Sequence, residues 1–135
     1  MVTRLLGTPG PKLTDELRGY LAGYVDGEGC IRISSSGSPT LEITSTFPYT
    51  LRLFHSIYGG TLEDCPARSE AHRHAFRWRI YGESAMAVLD DLMEHLQEKR
   101  IQALMVFEIR KTERGHERDG MIAQLSQMKR LDYGN

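Results

Sequence analysis

The sequence predicts an α+β fold in which helices alternate with two β-hairpins. In several segments apolar residues recur at helical spacing, whereas two pairs of shorter segments alternate between apolar and polar residues, each pair joined by a polar stretch. At 135 residues with 40% hydrophobic content, the chain is long enough for one domain with its own core and too short for two. The predicted order is helix, hairpin, helix, hairpin, then further helices.

The first helix is predicted over residues 15–26. Thr14 can cap its first free amides, and the two acids that follow lie at the positive end of the helix dipole. Two glycines inside a helix cost about 1 kcal/mol each relative to alanine, so they need a packing reason. Short residues recur here at i, i+3, i+4 and i+7 and share one face: Gly19, Ala22, Gly23 and Asp26. We expect another backbone to approach that face closely.

A carboxylate between two glycines follows this helix. Gly27 and Gly29 are expected to end the helix and to bracket Glu28. Glu28 then lies at the negative end of the helix dipole, where an acid is least favoured. An acid held in that place indicates a bound cation. The alternative is an unrelated α+β domain in which the segment is only a helix-to-strand turn.

The first hairpin is predicted from strands at residues 30–36 and 40–46, with a turn over residues 35–39. Its apolar face contains alternate residues: Ile31, Ile33, Leu41 and Ile43. Its polar face contains the residues between them: Arg32, Ser34, Ser36, Thr40, Glu42 and Thr44. One side of the hairpin should therefore pack on helices, while the other can form hydrogen bonds to a partner.

The second half of the chain repeats the helix and hairpin pattern. A helix over residues 50–58 is followed by strands at 61–65 and 75–80, in which Arg77 and Arg79 occupy the polar face. Helical spacing then returns over residues 84–96, again after Lys99, and between about residues 118 and 131. Residues 1–12 contain glycine and proline and are expected to form a flexible leader.

Charge is distributed unevenly along the chain. The formal net charge of -1 alone argues against a nucleic-acid partner. However, residues 68–81 contain four arginines, Arg68 among them, against one glutamate, while residues 83–98 contain five acids and neither lysine nor arginine. We therefore expect one basic surface and one acidic surface.

Two cysteines and the absence of a long apolar segment suggest an intracellular protein. Cys30 and Cys65 form no CxxC pair and have no histidines at zinc spacing, so we expect free thiols in a reducing compartment. No apolar run approaches the roughly 18 residues that span a membrane, and no signal peptide is evident. We expect no membrane partner and a location in the cytoplasm, the nucleoid or an organelle.

Residues 21–29 read L-A-G-Y-V-D-G-E-G, and this string resembles the LAGLIDADG signature of homing endonucleases. In that family the motif helices of two domains pack face to face through small residues, and the last acid holds a divalent metal at the scissile phosphates. The resemblance implies that Glu28 is the metal ligand, assisted by the Gly27 carbonyl, and that Asp26 helps to fix the helix ends. Gly19, Ala22 and Gly23 would form the seam between the two helices. Glu28 stands where the family more often has aspartate.

The resemblance also implies a fold and two further site residues. The αββαββα fold of the family, a curved four-stranded antiparallel sheet with helices on one face, would cover residues 13–111, with residues 112–135 as a C-terminal helical extension of the same domain. Residues 99–103 read K-R-I-Q-A and resemble a K-x-x-Q segment of the family, which places Lys99 near the scissile phosphate. Ser45 falls nearest the place where the family uses glutamine or asparagine to position the attacking water.

By this resemblance, the chain is a site-specific endonuclease that hydrolyses phosphodiesters of double-stranded DNA. Mg²⁺ is the expected cofactor, with Mn²⁺ or Ca²⁺ as substitutes in a crystal. Because the chain has one motif and two strands must be cut, the resemblance implies a homodimer and a nearly palindromic target of about 20 base pairs. Base contacts are expected from polar residues of the hairpins: Arg32, Ser34, Ser36, Thr40, Glu42, Thr44, Arg68, Arg77 and Arg79.

Two other functions use the same fold. One is a maturase that binds structured intron RNA, and the other is a DNA-binding regulator that does not cleave. Glu28 and Lys99 together argue against lost catalysis, although maturases can retain both residues.

Overall fold

The computed structural model describes residues 12–66 and 74–132 of the chain. The predicted leader, except for Lys12, and Arg68 lie outside these ranges. The described residues form five α-helices and four strands: α1 (Asp15–Glu28), β1 (Gly29–Ile33), β2 (Pro39–Ser45), α2 (Pro48–Tyr58), β3 (Thr61–Cys65), β4 (Ala75–Tyr81), α3 (Gly82–Leu92), α4 (Arg100–Lys111) and α5 (His116–Asp132). The predicted α+β order of helices and hairpins is confirmed.

The four strands form one antiparallel sheet in the order β1-β2-β4-β3. The register places Ile31 opposite Leu41 and Ile43 opposite Trp78, so the apolar residues of three strands share one face. All four of these side chains are fully buried. The helices therefore cover one face of the sheet, and the alternating polar residues lie on the other face.

The first hairpin is tighter than the sequence predicted. β1 ends at Ile33 and β2 begins at Pro39, so Ser34 and Ser36 lie in the connecting turn and not on a strand. The turn closes through the Gly37 amide, which donates to the Ser34 carbonyl at 2.8 Å. Gly37 has a φ of 87°, and a Cβ at this position would overlap the Arg118 guanidinium. The positive φ favours glycine at the tip of this hairpin, and the absence of a Cβ leaves room for the Arg118 guanidinium.

Several helix boundaries differ from the predicted ones. α2 begins two residues earlier than predicted, at Pro48, which suits the first turn of a helix because proline has no amide to donate. The helix predicted over residues 84–96 is α3 followed by a 3-10 turn, Met93–His95. α5 begins at His116, two residues before the predicted start.

The core lies between the sheet and the helices. Its largest aromatic pair is Phe54 with Trp78, whose ring centroids are 4.8 Å apart, and the Trp78 indole donates to the Gly59 carbonyl at 2.7 Å. Leu125 of α5 is also buried in this core, so α5 packs against the same cluster of apolar side chains. Among the helices of the described residues, none combines the length and apolar character needed to cross a membrane.

Candidate functional site

The motif helix α1 presents different residues to the interior and to the surface. Thr14 caps its start as predicted, accepting the Leu17 amide at 3.1 Å. Its inward side consists of residues buried in the chain: Leu21, Ala22, Val25 and Asp26. Its outward side consists of exposed residues: Tyr20, Gly23 and Gly27. The outward side is almost free of side chains beyond Tyr20, so a second backbone could lie against it.

This arrangement corrects the predicted seam. Ala22 is fully buried and Asp26 is 9% exposed within one chain, so neither can present its side chain to a second helix. Gly19 lies at the margin, where a Cβ would be 4.0 Å from the His95 ring. Gly23 alone of the predicted quartet is exposed, and Gly27 joins it. The four short residues of the predicted seam therefore do not share one face of α1: Ala22 and Asp26 lie on the inward side and Gly23 lies on the outward side.

Asp26 fixes the end of α1 to the start of α4. Its carboxylate accepts the Gln97 amide at 2.8 Å and the Lys99 amide at 2.9 Å. In return the Lys99 ammonium donates to the Asp26 carbonyl at 2.7 Å. Backbone amides ahead of α4 lack partners in the helix itself, so Asp26 satisfies donors that would otherwise be buried without one. The geometry agrees with the expectation that Asp26 fixes the helix ends.

Lys99 is buried, with 4% of its surface exposed. Burying an ammonium costs free energy unless it is hydrogen-bonded. Here the Asp26 carbonyl, in the last turn of α1, accepts a hydrogen bond from it. Carbonyls at a helix C-terminus carry partial negative charge, which favours a cation in this place. The structure thus brings Lys99 to the residues immediately before Glu28, although the two lie far apart in sequence.

Glu28 is the last residue of α1 and is exposed. The helix runs two residues past the predicted end, so Gly27 lies within it and Gly29 is the residue that ends it. The Gly29 amide donates back to the Val25 carbonyl, and a Cβ on Gly29 would lie 2.7 Å from that oxygen. A glycine is therefore needed for the chain to turn directly from α1 into β1, and this turn leaves Glu28 at the surface.

Ser45 lies at the end of β2, as predicted, and its hydroxyl is engaged. The Ser45 oxygen accepts from the Tyr24 hydroxyl at 3.0 Å and from the Phe47 amide at 3.0 Å. With two donors on its oxygen, Ser45 has only its own hydrogen left to offer a water. The contacts give Ser45 a role in joining β2 to α1 and to the start of α2.

The polar face of the first hairpin contains an ion pair. Arg32 of β1 donates to the Glu42 carboxylate of β2 at 2.5 Å, and the Arg32 side chain is 49% exposed. Thr40 and Thr44 lie on the same face as Glu42 by strand alternation. The two serines predicted for this face instead bond to each other in the turn: Ser34 and Ser36, with hydroxyl oxygens 2.8 Å apart.

The second hairpin contains a residue that the sequence did not single out. Glu63 of β3 faces Arg77 of β4 in the register, and a single Glu63 oxygen accepts from Arg77 Nε at 2.9 Å and from Arg79 Nη2 at 2.5 Å. The Arg77 hydrogen bond, followed by that of Arg79, holds the pKa of Glu63 below its ordinary value. The bond to Glu63 likewise raises the pKa of Arg77. Finding Glu63 required the register of β3 against β4, which a long connecting segment leaves open in the sequence.

The donors at the end of α1 suit a hard divalent cation. A carboxylate and backbone carbonyls are the ligands that Mg²⁺ prefers. Within the described part of the chain, no group of three histidine, cysteine, aspartate or glutamate side chains is placed to hold a metal ion. Glu28 could therefore supply only part of a ligand set, the rest of which would come from water, phosphate or a second chain.

Solved structures that match this architecture include several homing endonucleases. I-CvuI in complex with its target in the presence of Ca matches at 25% identity and a TM-score of 0.57, covering 71% of this chain and 66% of that one. The archaeal intron-encoded I-Vdi141I, complexed with DNA, matches at 18% identity and a TM-score of 0.64, covering 84% of both chains. The chain has the LAGLIDADG homing endonuclease fold. The family resemblance carried by residues 21–29 is confirmed.

A further LAGLIDADG structure differs in length. I-SmaMI bound to cleaved DNA matches at 17% identity and a TM-score of 0.56, covering 87% of this chain but 44% of that one. One chain of I-SmaMI therefore has the length of about two such units. No protein-family model and no curated protein sequence matches the chain.

Proposed function

We propose that the protein is a site-specific DNA endonuclease that makes a metal-dependent double-strand break as a homodimer. The observation that carries this proposal is the end of α1: an exposed glutamate, Glu28, follows a helix whose outward side is bare, and a buried lysine, Lys99, lies behind it. The neighbours that share the fold are homing endonucleases, several of them described in complex with DNA, which supports a DNA substrate.

Phosphodiester hydrolysis places growing negative charge on the phosphoryl and leaving oxygens. A divalent ion, Mg²⁺ by preference, would supply positive charge at those oxygens and lower the pKa of a bound water. Glu28 and the Gly27 carbonyl would hold that ion. Lys99 would add a fixed positive charge behind the same turn, and because it is buried, water screens that charge less than it would on the surface.

The outward side of α1 is the proposed dimer seam. Gly23 and Gly27 leave room there, since a Cβ at either position would meet nothing within 4 Å. Tyr20 is exposed on the same side, and its hydroxyl lies 2.6 Å from the Thr50 hydroxyl of α2. A second copy would bring two Glu28 carboxylates together and complete the partial metal site. The length of I-SmaMI, about two such units in one chain, is consistent with this pairing.

Exposed aromatic residues continue this surface beyond α1. Phe47 is 63% exposed and Tyr49 is 60% exposed, and both lie at the start of α2 beside Thr50. Large exposed apolar side chains grouped in this way are typical of protein interfaces. They would widen the seam around the two α1 helices in the dimer.

The polar face of the sheet would read the DNA. Its side chains include three arginines and several hydroxyls that can contact base edges in the major groove. Two copies related by a twofold axis would recognise a nearly palindromic site of about 20 base pairs. Base contacts at Arg32, Thr40, Glu42, Thr44, Arg77 and Arg79 are part of this proposal; Ser34 and Ser36 would act from the turn.

A cleavage selection tests the proposal. The protein is incubated with a randomised duplex library and Mg²⁺ or Mn²⁺, and cut molecules are recovered and sequenced. We expect one long, nearly palindromic sequence to be enriched and both of its strands to be cut. If the protein selects a sequence by binding yet never cuts it with either metal, the non-cleaving regulator is the better function. Selection of RNA in place of DNA would favour the maturase.

A further inference from the structure

The polar face of the sheet contains a charge network that spans all four strands. Two carboxylates are shared among three arginines: Glu42 pairs with Arg32, and Glu63 pairs with Arg77 and Arg79. Arg79 lies opposite Glu42 in the register, yet its guanidinium bonds to Glu63 on the other side. Since Glu42 is already paired with Arg32 at 2.5 Å, Glu63 is the acceptor that holds both arginines of β4.

Glu63 engages the two arginines through different edges. Arg77 presents its Nε–Nη2 edge, with distances of 2.9 Å and 2.8 Å to the same Glu63 oxygen. The end of the guanidinium, Nη1 with the second hydrogen of Nη2, makes no hydrogen bond or ion pair with the described residues. Two parallel N–H groups remain there, which is the fork that bonds guanine O6 and N7.

Arg79 is held by Glu63 through one contact and not two. Its Nη2 bonds to Glu63, while its Nε is buried and has no hydrogen-bond partner among the described residues. One side of its guanidinium therefore faces into the protein. A single contact to Glu63 fixes the direction of this guanidinium less firmly than the two contacts fix that of Arg77.

Resting on the proposed DNA-reading function, we propose that Glu63 is a specificity-determining residue. It positions Arg77, which it holds through two contacts, as the bidentate reader of one guanine in each half-site, whereas Arg79, held through one contact, contributes less to the choice of that base. The ligand is the major-groove edge of a G·C pair, recognised by the two N–H groups that Glu63 leaves available on Arg77. Glu63 itself touches no base and acts by fixing the direction in which Arg77 points.

Orienting Arg77 toward a base costs side-chain entropy, and the ion pair with Glu63 reduces the part of that cost paid on binding. An arginine free to rotate loses side-chain entropy when it binds a base, whereas one held by a carboxylate has already lost most of it. The Arg77 and Glu63 side chains are 33% and 35% exposed, so water still screens the pair and its main effect is direction. Removing Glu63 should therefore change which bases are accepted more than how tightly DNA is held.

Binding selection without added divalent metal tests this inference. Randomised duplex DNA is selected on the folded wild type and on Glu63→Gln, Arg77→Lys and Arg79→Lys, with thermal melting to establish that each variant is folded. For the wild type we expect one guanine position per half-site to be preferred by about tenfold or more. Glu63→Gln and Arg77→Lys should reduce that preference to about twofold, and Arg79→Lys should retain it.

Asp64→Asn is the matched control, because Asp64 is the next residue on β3, is 69% exposed and points to the other face. It removes the same charge and should leave the guanine preference intact. If Glu63→Gln keeps the wild-type preference, or if Arg79→Lys and not Arg77→Lys abolishes it, the inference is wrong. A wild type that selects no sequence at all would instead overturn the DNA-reading function, and the inference with it.

Discussion

On the inward side of α1, polar groups lie at both ends of a buried apolar stretch, and each has a partner. Arg18 donates to Asp91 at 3.0 Å near the start of the helix, and Asp26 accepts two amides ahead of α4 near its end. On the outward side, a Cβ added to Gly23 or Gly27 would meet none of the described residues within 4 Å outside the backbone of α1 itself. One helix thus holds the domain together on one side and presents an unfilled surface on the other. Substitutions on the inward side should therefore reduce the stability of the domain, whereas substitutions on the outward side should affect dimer formation.

The largest loss of stability is expected on the inward side, from Asp26→Ala. This change leaves the Gln97 and Lys99 amides without their acceptor in a mostly buried site, and each such loss costs about 1–3 kcal/mol. We expect the free energy of unfolding to fall by about 3 kcal/mol or more, measured by urea titration. Asp90→Ala, at an exposed position of α3, is the control and should change it by less than about 0.5 kcal/mol.

A loss below about 1 kcal/mol in Asp26→Ala would mean that the link between α1 and α4 is not a stability determinant. The inward side would then differ from the outward side only in burial.

On the outward side, Gly23→Leu should break the dimer and leave the fold intact. A Cβ at this position has open space among the described residues, so the free energy of unfolding of the isolated domain should change by less than about 1 kcal/mol. The leucine side chain would hold two α1 helices apart. Light scattering should show a dimer for the wild type and a monomer for the variant, with double-strand cleavage lost.

Gly120→Leu on α5 is the matched control, because a Cβ there also meets nothing within 4 Å. It should stay dimeric. A monomeric wild type that still cuts both strands would show that the outward side of α1 is not an interface.

A smaller effect concerns the stability of the inward contacts at alkaline pH, with no counterpart expected on the outward side. Tyr58 donates to Asp91, the partner of Arg18, at 2.7 Å; burial, followed by this hydrogen bond, raises the pKa of Tyr58 above its ordinary value of 10.0. Above pH 10 the unfolded chain loses this proton while the folded chain keeps it, so the free energy of unfolding falls as the pH rises. Tyr58→Phe should be less stable by about 1 kcal/mol at pH 7 and should lose less stability above pH 10.

The measurement is urea unfolding from pH 7 to 11, with Tyr81→Phe as the exposed control. If Tyr58→Phe loses stability above pH 10 as steeply as the wild type, proton retention at Tyr58 is not the cause of the alkaline loss.

Local patterns in the sequence were sufficient for most of the fold. Thr14 as a cap and the alternation around Ile31, Ile43 and Trp78 each depend on neighbours close in the chain, and each prediction is confirmed. The motif placed Glu28 at the end of α1 for the same reason. What spacing could not decide was which short residues face inward, because Ala22 and Gly23 are adjacent and both suit a close contact.

The rest of the site depends on contacts between residues that are distant in sequence. Asp26 meets Gln97 and Lys99 only after α3 has packed against α1, and Glu63 meets Arg77 only in one register of β3 against β4. Neither pairing leaves a local signal. The family resemblance did single out Lys99. The spacing of residues alone could not have predicted that Lys99 lies beside the end of α1.

Plasmid cleavage by Glu28→Gln, compared with the wild type on the selected target, tests the central claim most directly. The substitution keeps the size of the side chain and removes the charge that would hold the metal. With Mg²⁺ present, we expect binding to be retained and cleavage to fall by at least about a hundredfold. Cleavage of both strands by Glu28→Gln at the wild-type rate would contradict the account, because the acid at the end of α1 would then not be the catalytic ligand.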